Sequence, residues 1–458
     1  MFIGVDDSHD SVAAHVSSLP YELLIDILSR LPGKSLMRFK SVSKHWLSLI
    51  REDAHLMDLH FSRSKSRPVL LHINPLPEVG LSTSNTVQQR ISCGEISGGE
   101  EQVEEITSEV RITDDKWFLY DHILEPVNGL VCFVHWKTYA IRVYNASTRQ
   151  ETPWVKSTLL AEENCKLTYK DSKMKIKSLR NPVYRFGFDP EYKEHKVFCF
   201  WRLVSRPQRR HNNSLDRPDY ESWEALTVGQ DTKWRRINAV PNKNNQIEIK
   251  QALPPASCSR RQVYADGTIY WSNKEYRSDA FRYSNPDDPD VIVAFDVGSE
   301  KYRVIPVPKF ILDEPRDETF RVPIGMLVLG THVALLYRME PNVVKLWMLD
   351  DGADKKLENC GRESNTNWRS ETITLPFCCD NGFDGFGIAG CSDKILFESR
   401  VRKNSELFTC LYSYDRVKKS CKKIEMDGVS SFTSYSDASL LATFTESLFP
   451  VQPLDKTS

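Results

Sequence analysis

A chain of 458 residues has room for a small unit plus a large domain that buries its own core. Its 61 basic and 62 acidic residues are interspersed and leave a formal net charge of −1, which excludes the global field of a nucleic-acid or anionic-membrane binder and points to a protein partner. Eleven cysteines run from Cys93 to Cys421 without a C-x2-C zinc spacing, and the N-terminus lacks a basic region followed by an apolar one. A chain with buried thiols, no metal and no membrane span is expected, in the nucleus and/or cytoplasm.

Residues 1–17 are polar and without periodicity, and read as a disordered arm. Leu19-Pro20 then starts a helix, with Glu22 in the first turn where the macrodipole favours an acid. Leu23, Leu24, Ile27, Leu28 and Leu31 recur at helical spacing until Pro32-Gly33 breaks the pattern. A short second helix carries Leu36 and Phe39. Ser43 is a good N-cap for a third, on which Val42, Trp46, Leu49 and Ile50 share a face. A unit below about 40 residues with no cysteine cannot hide this much apolar side chain alone, so the spacing predicts a docking surface.

These residues resemble an F-box almost position for position: Leu19-Pro20, the Leu23/Leu24/Ile27/Leu28 core, Leu31-Pro32, Lys34-Ser35-Leu36, Arg38-Phe39 and Val42-x3-Trp46-x2-Leu49-Ile50. Ser43 departs from the pattern, where many plant members carry Cys. The resemblance implies docking to a SKP-family adaptor, and through it a cullin. It makes Leu19, Pro20, Leu23, Leu24, Ile27, Leu28, Leu31, Pro32, Leu36, Phe39, Val42, Trp46, Leu49 and Ile50 the adaptor-binding residues of a substrate-recognition subunit of an SCF-type ubiquitin ligase. The chain would hold an unidentified target protein for ubiquitination. A DNA-reading helix-turn-helix fits less well, because Lys44 and His45 are few groups for bases and phosphates.

After this module at 18–52, residues 53–113 read as a connector. It holds one strand from Val69 to Ile73 and a solvated insertion from Glu78 to about Arg111, with the acidic run Glu100, Glu101, Glu104 and Glu105. From 114 to 445 the period changes. Apolar runs end in Asn or Asp, turn, and lead to Trp or Tyr: Gly129 to Phe133 then Ile141 to Asn145, Phe186 to Pro190 then Lys196 to Phe200, Trp223 to Val228 then Trp234 to Ile237. Asp266-Gly267 to Trp271 with Val291 to Asp296, Val333 to Tyr337 with Val343 to Asp350, and Ile395 to Phe397 with Leu411 to Asp415 continue the series. One such small sheet cannot bury both faces, whereas several arranged radially can. Residues 446–458 read as a tail.

GLVCF, VYNAST, FGFDPEYKEHKVF, WRRI, DGTIYW and AFDVGSEKYRVIPVP resemble the F-box associated region of plant F-box proteins, over about residues 114–440. The expected fold is therefore mainly β with a small N-terminal α module: a three-helix F-box followed by a β-propeller-like F-box associated domain.

No phosphate loop, nucleophile elbow or metal-binding helix motif occurs, and no catalytic residue or cofactor is expected. His195 and Cys199 lie four apart on a strand, too far for a hydrogen bond, and read as an exposed His and a packed Cys. Asp189, Asp266, Asp296, Asp350 and Asp415 stand where turns want Asp. The basic segment with Arg206, Arg209, Arg210 and His211 is the candidate for binding an acidic or phosphorylated target. The competing reading is a self-contained β-propeller enzyme or scaffold whose helical arm has no ligase role.

Overall fold

The computed structural model describes residues 19–75, 89–96, 102–110, 122–135, 138–158, 178–179, 182–204, 220–238, 262–273, 290–316, 325–350, 367–377, 383–387, 393–403, 406–426 and 440–451. The arm at 1–17 lies outside them.

Four helices open the chain: α1 (Tyr21–Leu28), α2 (Gly33–Phe39), α3 (Lys44–Glu52) and α4 (Ala54–Ser64). Ser43 caps α3, its hydroxyl accepting from the Trp46 N–H at 3.2 Å, and Asp53 caps α4 by accepting from the Leu56 N–H at 2.7 Å. The fourth helix falls in the stretch expected to be connector, and side chains on it and just after it meet carbonyls at and just beyond the end of α1. Arg63 donates to the Asp26 carbonyl at 2.7 Å and Arg67 to the Arg30 carbonyl at 2.8 Å, while a ring nitrogen of His60 lies 3.1 Å from the Leu31 carbonyl. Carbonyls at a helix C-terminus lack intrahelical donors, so these three side chains supply what the helix cannot.

The strands follow as antiparallel units of four. The first includes β1 (Val69–Pro75), β2 (Gln89–Ile96) and β3 (Gln102–Val110). The second is β4 (His122–Val127), β5 (Leu130–His135), β6 (Ala140–Asn145) and β7 (Gln150–Glu151), with β8 (Val155–Lys156) also on β6. After β9 (Ser178–Leu179) comes β10 (Val183–Asp189), β11 (Glu194–Val204), β12 (Tyr220–Thr227) and β13 (Arg235–Ile237). Next are β14 (Val263–Ala265), β15 (Thr268–Ser272), β16 (Val291–Asp296) and β17 (Lys301–Pro306). The fifth is β18 (Gly325–Leu329), β19 (His332–Glu340), β20 (Val343–Asp350) and β21 (Asn367–Thr374); the sixth is β22 (Phe383–Gly387), β23 (Lys394–Lys403), β24 (Glu406–Asp415) and β25 (Ser420–Met426). Last comes β26 (Leu440–Phe444), which pairs antiparallel with β1, Val69 opposite Phe444 and Ile73 opposite Leu440, and completes the first unit.

Among the described residues these strands make five hydrogen-bonded sheets, because a short parallel contact of β25 with β3 joins the sixth unit to the first in an eight-stranded sheet. Neighbouring units touch through β26, β4, β10, β14 with β15, β18 and β22 in turn, and β22 returns to β26. The ring is closed, and the domain is a β-propeller whose closing strand comes from the C-terminal end of the chain.

Both faces of each inner strand are covered by neighbouring units, which is why β5, β6 and β10 are buried along their whole length. Phe198, Phe200, Trp223, Trp271 and Phe295 fill one inter-unit layer, with the Phe198 and Phe295 rings 4.7 Å apart. Three sequence expectations change. The runs at Phe186 and Trp223 are halves of one sheet, β10 to β13. The segment expected as a solvated insertion supplies β2 and β3, with Glu104 opposite Glu95 and Glu105 opposite Gly94; Glu100 and Glu101 lie outside the described residues. Residues 446–451 are no free tail either, since Ser447, Leu448, Phe449 and Val451 are buried.

A repeated turn positions the ends of the strands. Asn145, Asp189, Asp296 and Asp415 each accept backbone N–H bonds from residues two or three further on. Four residues after each, Arg149, Lys193, Glu300 and Lys419 take a left-handed φ of 51° to 59°. Asp266-Gly267 and Asn128-Gly129 instead make two-residue turns with positive φ at both positions.

Candidate protein-docking site

The helical module divides its apolar residues into two sets. Leu24, Leu28, Leu36, Leu49 and Ile50 are buried and pack with Ile25, Leu56, Met57 and Leu448. Leu31, Phe39 and Trp46 are half-buried against that core, the Phe39 and Trp46 rings 5.3 Å apart, and Pro32 is also half-buried. Leu19, Pro20, Leu23, Ile27 and Val42 are exposed. Of the fourteen residues expected to meet an adaptor, the five buried ones are at most 8% exposed and hold the helices together, leaving little surface for a partner.

What remains outside is concentrated. Nine large hydrophobic side chains are exposed among the described residues, and six of them, Leu19, Tyr21, Leu23, Ile27, Val42 and Leu47, fall between residues 19 and 47. Leu23 and Ile27 are one helical turn apart on α1, at 54% and 48% exposure, and Leu19 continues their spacing before the helix. Exposed apolar side chains concentrated in one stretch of the chain are what a candidate docking face needs. Tyr21 and Leu47 carry no weight in the sequence pattern and belong to it. Beside them the Tyr21 hydroxyl donates to Asp53 at 2.6 Å, which raises the phenol above its ordinary value. Hydrogen bonds from Arg30 and Arg63 hold the Asp26 carboxyl below the carboxylate range and fix the base of α1.

The propeller carries this face on one end. Lys193, in the turn between β10 and β11, pairs with Asp58 of α4. β11 then runs eleven residues away from it, about 35 Å at the rise of a strand. At its far end Leu203 faces Tyr220. Arg206, Arg209, Arg210 and His211, the residues expected to meet a target, lie outside the described residues.

Titratable groups buried near the junction have no free reach. The ring of His195 is buried, contrary to the exposed position expected, with a nitrogen 3.0 Å from the Val127 carbonyl and Phe186, Phe188 and Phe449 around it; burial pushes it down to about 3. Burial likewise pushes the Cys199 thiol well up, and its neighbour is Tyr184. The two do not form a nucleophile and base. Asp189 serves its turn and also accepts from Lys196 at 2.9 Å; burial alone would raise it, but that bond and two backbone N–H groups keep it below the carboxylate range. Lys196 also donates to the Val297 carbonyl at 3.3 Å, tying two propeller units together. No group of three His, Cys, Asp or Glu arranged to hold a metal occurs among the described residues.

Comparison with known proteins matches both modules. A profile of the F-box associated beta propeller domain matches residues 91–448, and one of the F-box domain matches residues 16–55. The F-box protein At4g19940 of Arabidopsis thaliana is 27% identical over 352 residues, which cover 73% of this chain and 70% of that one. The F-box/kelch-repeat protein At4g19930 of the same plant is 30% identical over 315 residues, covering 64% and 58% respectively. The F-box/LRR-repeat protein At2g40920 is 24% identical over 375 residues, 78% of this chain and 69% of its own.

Proposed function

Because this chain belongs to the F-box proteins with an F-box associated β-propeller domain, we propose that it is the substrate-recognition subunit of an SCF-type ubiquitin ligase. The observation that carries this reading is the exposed apolar face of the helical module, built on a core that is complete without those side chains. A SKP-family adaptor would cover Leu19, Leu23, Ile27 and Val42 and link the chain to a cullin. The target protein would be held by the propeller domain, with the Arg206 segment as the candidate, because guanidinium groups suit an acidic or phosphorylated surface. Ubiquitin chemistry belongs to other subunits, and this chain raises the effective concentration of a target lysine near the activated ubiquitin. The reading calls for a compartment that holds the adaptor, the nucleus or the cytoplasm.

Co-purification of the full chain with a SKP-family adaptor tests it. Leu23→Asp with Ile27→Asp places two charges on the exposed face and is expected to abolish capture while the thermal melt stays within a degree or two of the parent. Adaptor capture by this double variant equal to the parent's removes the reading. For the target, replacing Arg206, Arg209 and Arg210 with Ser is expected to weaken its recovery and flatten the salt dependence, with adaptor capture unchanged. Equal recovery at low and moderate salt would exclude that segment.

A further inference from the structure

The seven residues after the ring-closing strand run between the two modules, and their contacts alternate. Both carboxylate oxygens of Glu446 lie 3.1 Å from the Gly33 N–H at the start of α2, a helix whose N-cap, Pro32, offers no side-chain bond of its own. Leu448 completes the buried core of the helices. Ser447 faces the propeller, and Phe449 touches both modules. Their carbonyls accept the two N–H bonds of the Asn145 amide at 3.1 and 2.9 Å, and the Ser447 N–H donates to Ser147 Oγ at 3.0 Å. The Phe449 ring lies 5.3 Å from Phe61 of α4 and 5.6 Å from Phe188 of β10. From Glu446 to Leu448 the alternation is that of an extended chain with a different body on each side.

The fit is close on both sides. A Cβ at Gly129, whose φ is +84°, would meet Ser447 Cβ at 2.3 Å and the Thr445 carbonyl at 2.6 Å. A Cβ at Gly33 would meet Ser147 Cβ at 3.1 Å and Glu446 Oε1 at 3.2 Å.

We infer that Thr445–Val451 is a latch that fixes the F-box on the propeller, with Asn145 and Glu446 as positioning residues. The latch follows β26 directly and β26 closes the ring on β1, so this hold on the helices, which adds to the Lys193–Asp58 pair, is made only once the ring has closed. The span between adaptor face and opposite rim is then a fixed length. Its use in presenting a target lysine rests on the receptor reading above; the latch itself does not.

The test is an inter-module distance in the full chain. Spin labels on encoded amino acids at the exposed positions His45 and Lys422 are read by double electron–electron resonance, with the β melt followed by circular dichroism. Glu446→Ala and Leu448→Asp are expected at least to double the width of the distance distribution, while the propeller still melts cooperatively. Glu446→Gln keeps an oxygen toward the Gly33 N–H and is expected to keep the parent's width. A narrow distribution in both Glu446→Ala and Leu448→Asp overturns the latch, and Glu446→Gln as broad as Glu446→Ala overturns the role given to Glu446. Should Leu448→Asp fail to fold, the milder Glu446 pair decides alone. Adaptor capture measured on the same samples judges the receptor reading separately, because the exposed face is untouched in every variant.

Discussion

At the scale of single residues, Leu23 and Leu24 are chemically identical neighbours with opposite roles. Leu24→Ala is expected to cost about 2 to 5 kcal/mol, as buried Leu truncations do, whereas Leu23→Ala changes stability by about 0.5 kcal/mol or less. Denaturant melts followed at the helical signal check both, and equal losses would refute the division of the two sets. The apolar residues were legible in the sequence, but their division was not, because Leu23/Ile27 and Leu24/Leu28 are adjacent stripes with the same helical period. Asn145 is the sharper case. It reads as a strand-ending turn residue, and its amide in fact makes four hydrogen bonds, two to its own turn and two to the latch. Asn145→Asp keeps the shape but turns a carboxylate toward two carbonyl oxygens. It should destabilise more than Asn145→Ala, by about 1 to 3 kcal/mol, and a thermal melt in which the Asp variant equals or exceeds the Ala variant would contradict that bonding.

At the scale of elements, five of the six units carry their strands in chain order and announced themselves by apolar runs ending in Asn or Asp. The first did not. β2 and β3 lie in a polar segment rich in Ser, Gly and Glu, and the strand that completes their unit comes more than three hundred residues later, which no local pattern reports. The helix α4 was missed for another reason: its inward face carries His60, which meets the Leu31 carbonyl, and Arg63, which donates to the Asp26 carbonyl, so that face reads as mixed. The closing strand gives a direct expectation. A chain ending at residue 439 leaves the β1 backbone from Val69 to Ile73 without its partner and exposes a template for edge pairing. It should lose the cooperative melt and aggregate, while a chain ending at residue 451 melts as the parent does. Cooperative melting of the shorter chain, seen by calorimetry, would show that the ring closes without β26.

At the scale of the whole molecule, two histidines stay buried and neutral, His60 within the helical module against the Leu31 carbonyl and His195 at the seam where the propeller meets Phe449. His60 is pushed down to about 4 by burial and His195 to about 3, against 6.5 for the free side chain. Above pH 6.5 neither state holds these protons, so their contribution is flat. As pH falls from 6.5 toward 4 the unfolded chain takes up two protons that the native chain refuses, and stability drops by roughly 1 to 2 kcal/mol per pH unit for each group. The loss levels off only below about 4 and then about 3, where the native residues protonate in turn. Acid should therefore loosen this protein well above the range in which the Asp189 and Lys196 pair is lost, since that carboxyl titrates below the ordinary value for Asp. His195→Gln offers an amide N–H toward the Val127 carbonyl without a titrating ring. It should lower stability at pH 7 and yet flatten the slope between pH 6 and 4.5 by about one proton. Urea melts of parent and variant across that interval measure the difference, and parallel slopes would mean that the buried ring at the seam is not what couples folding to acid.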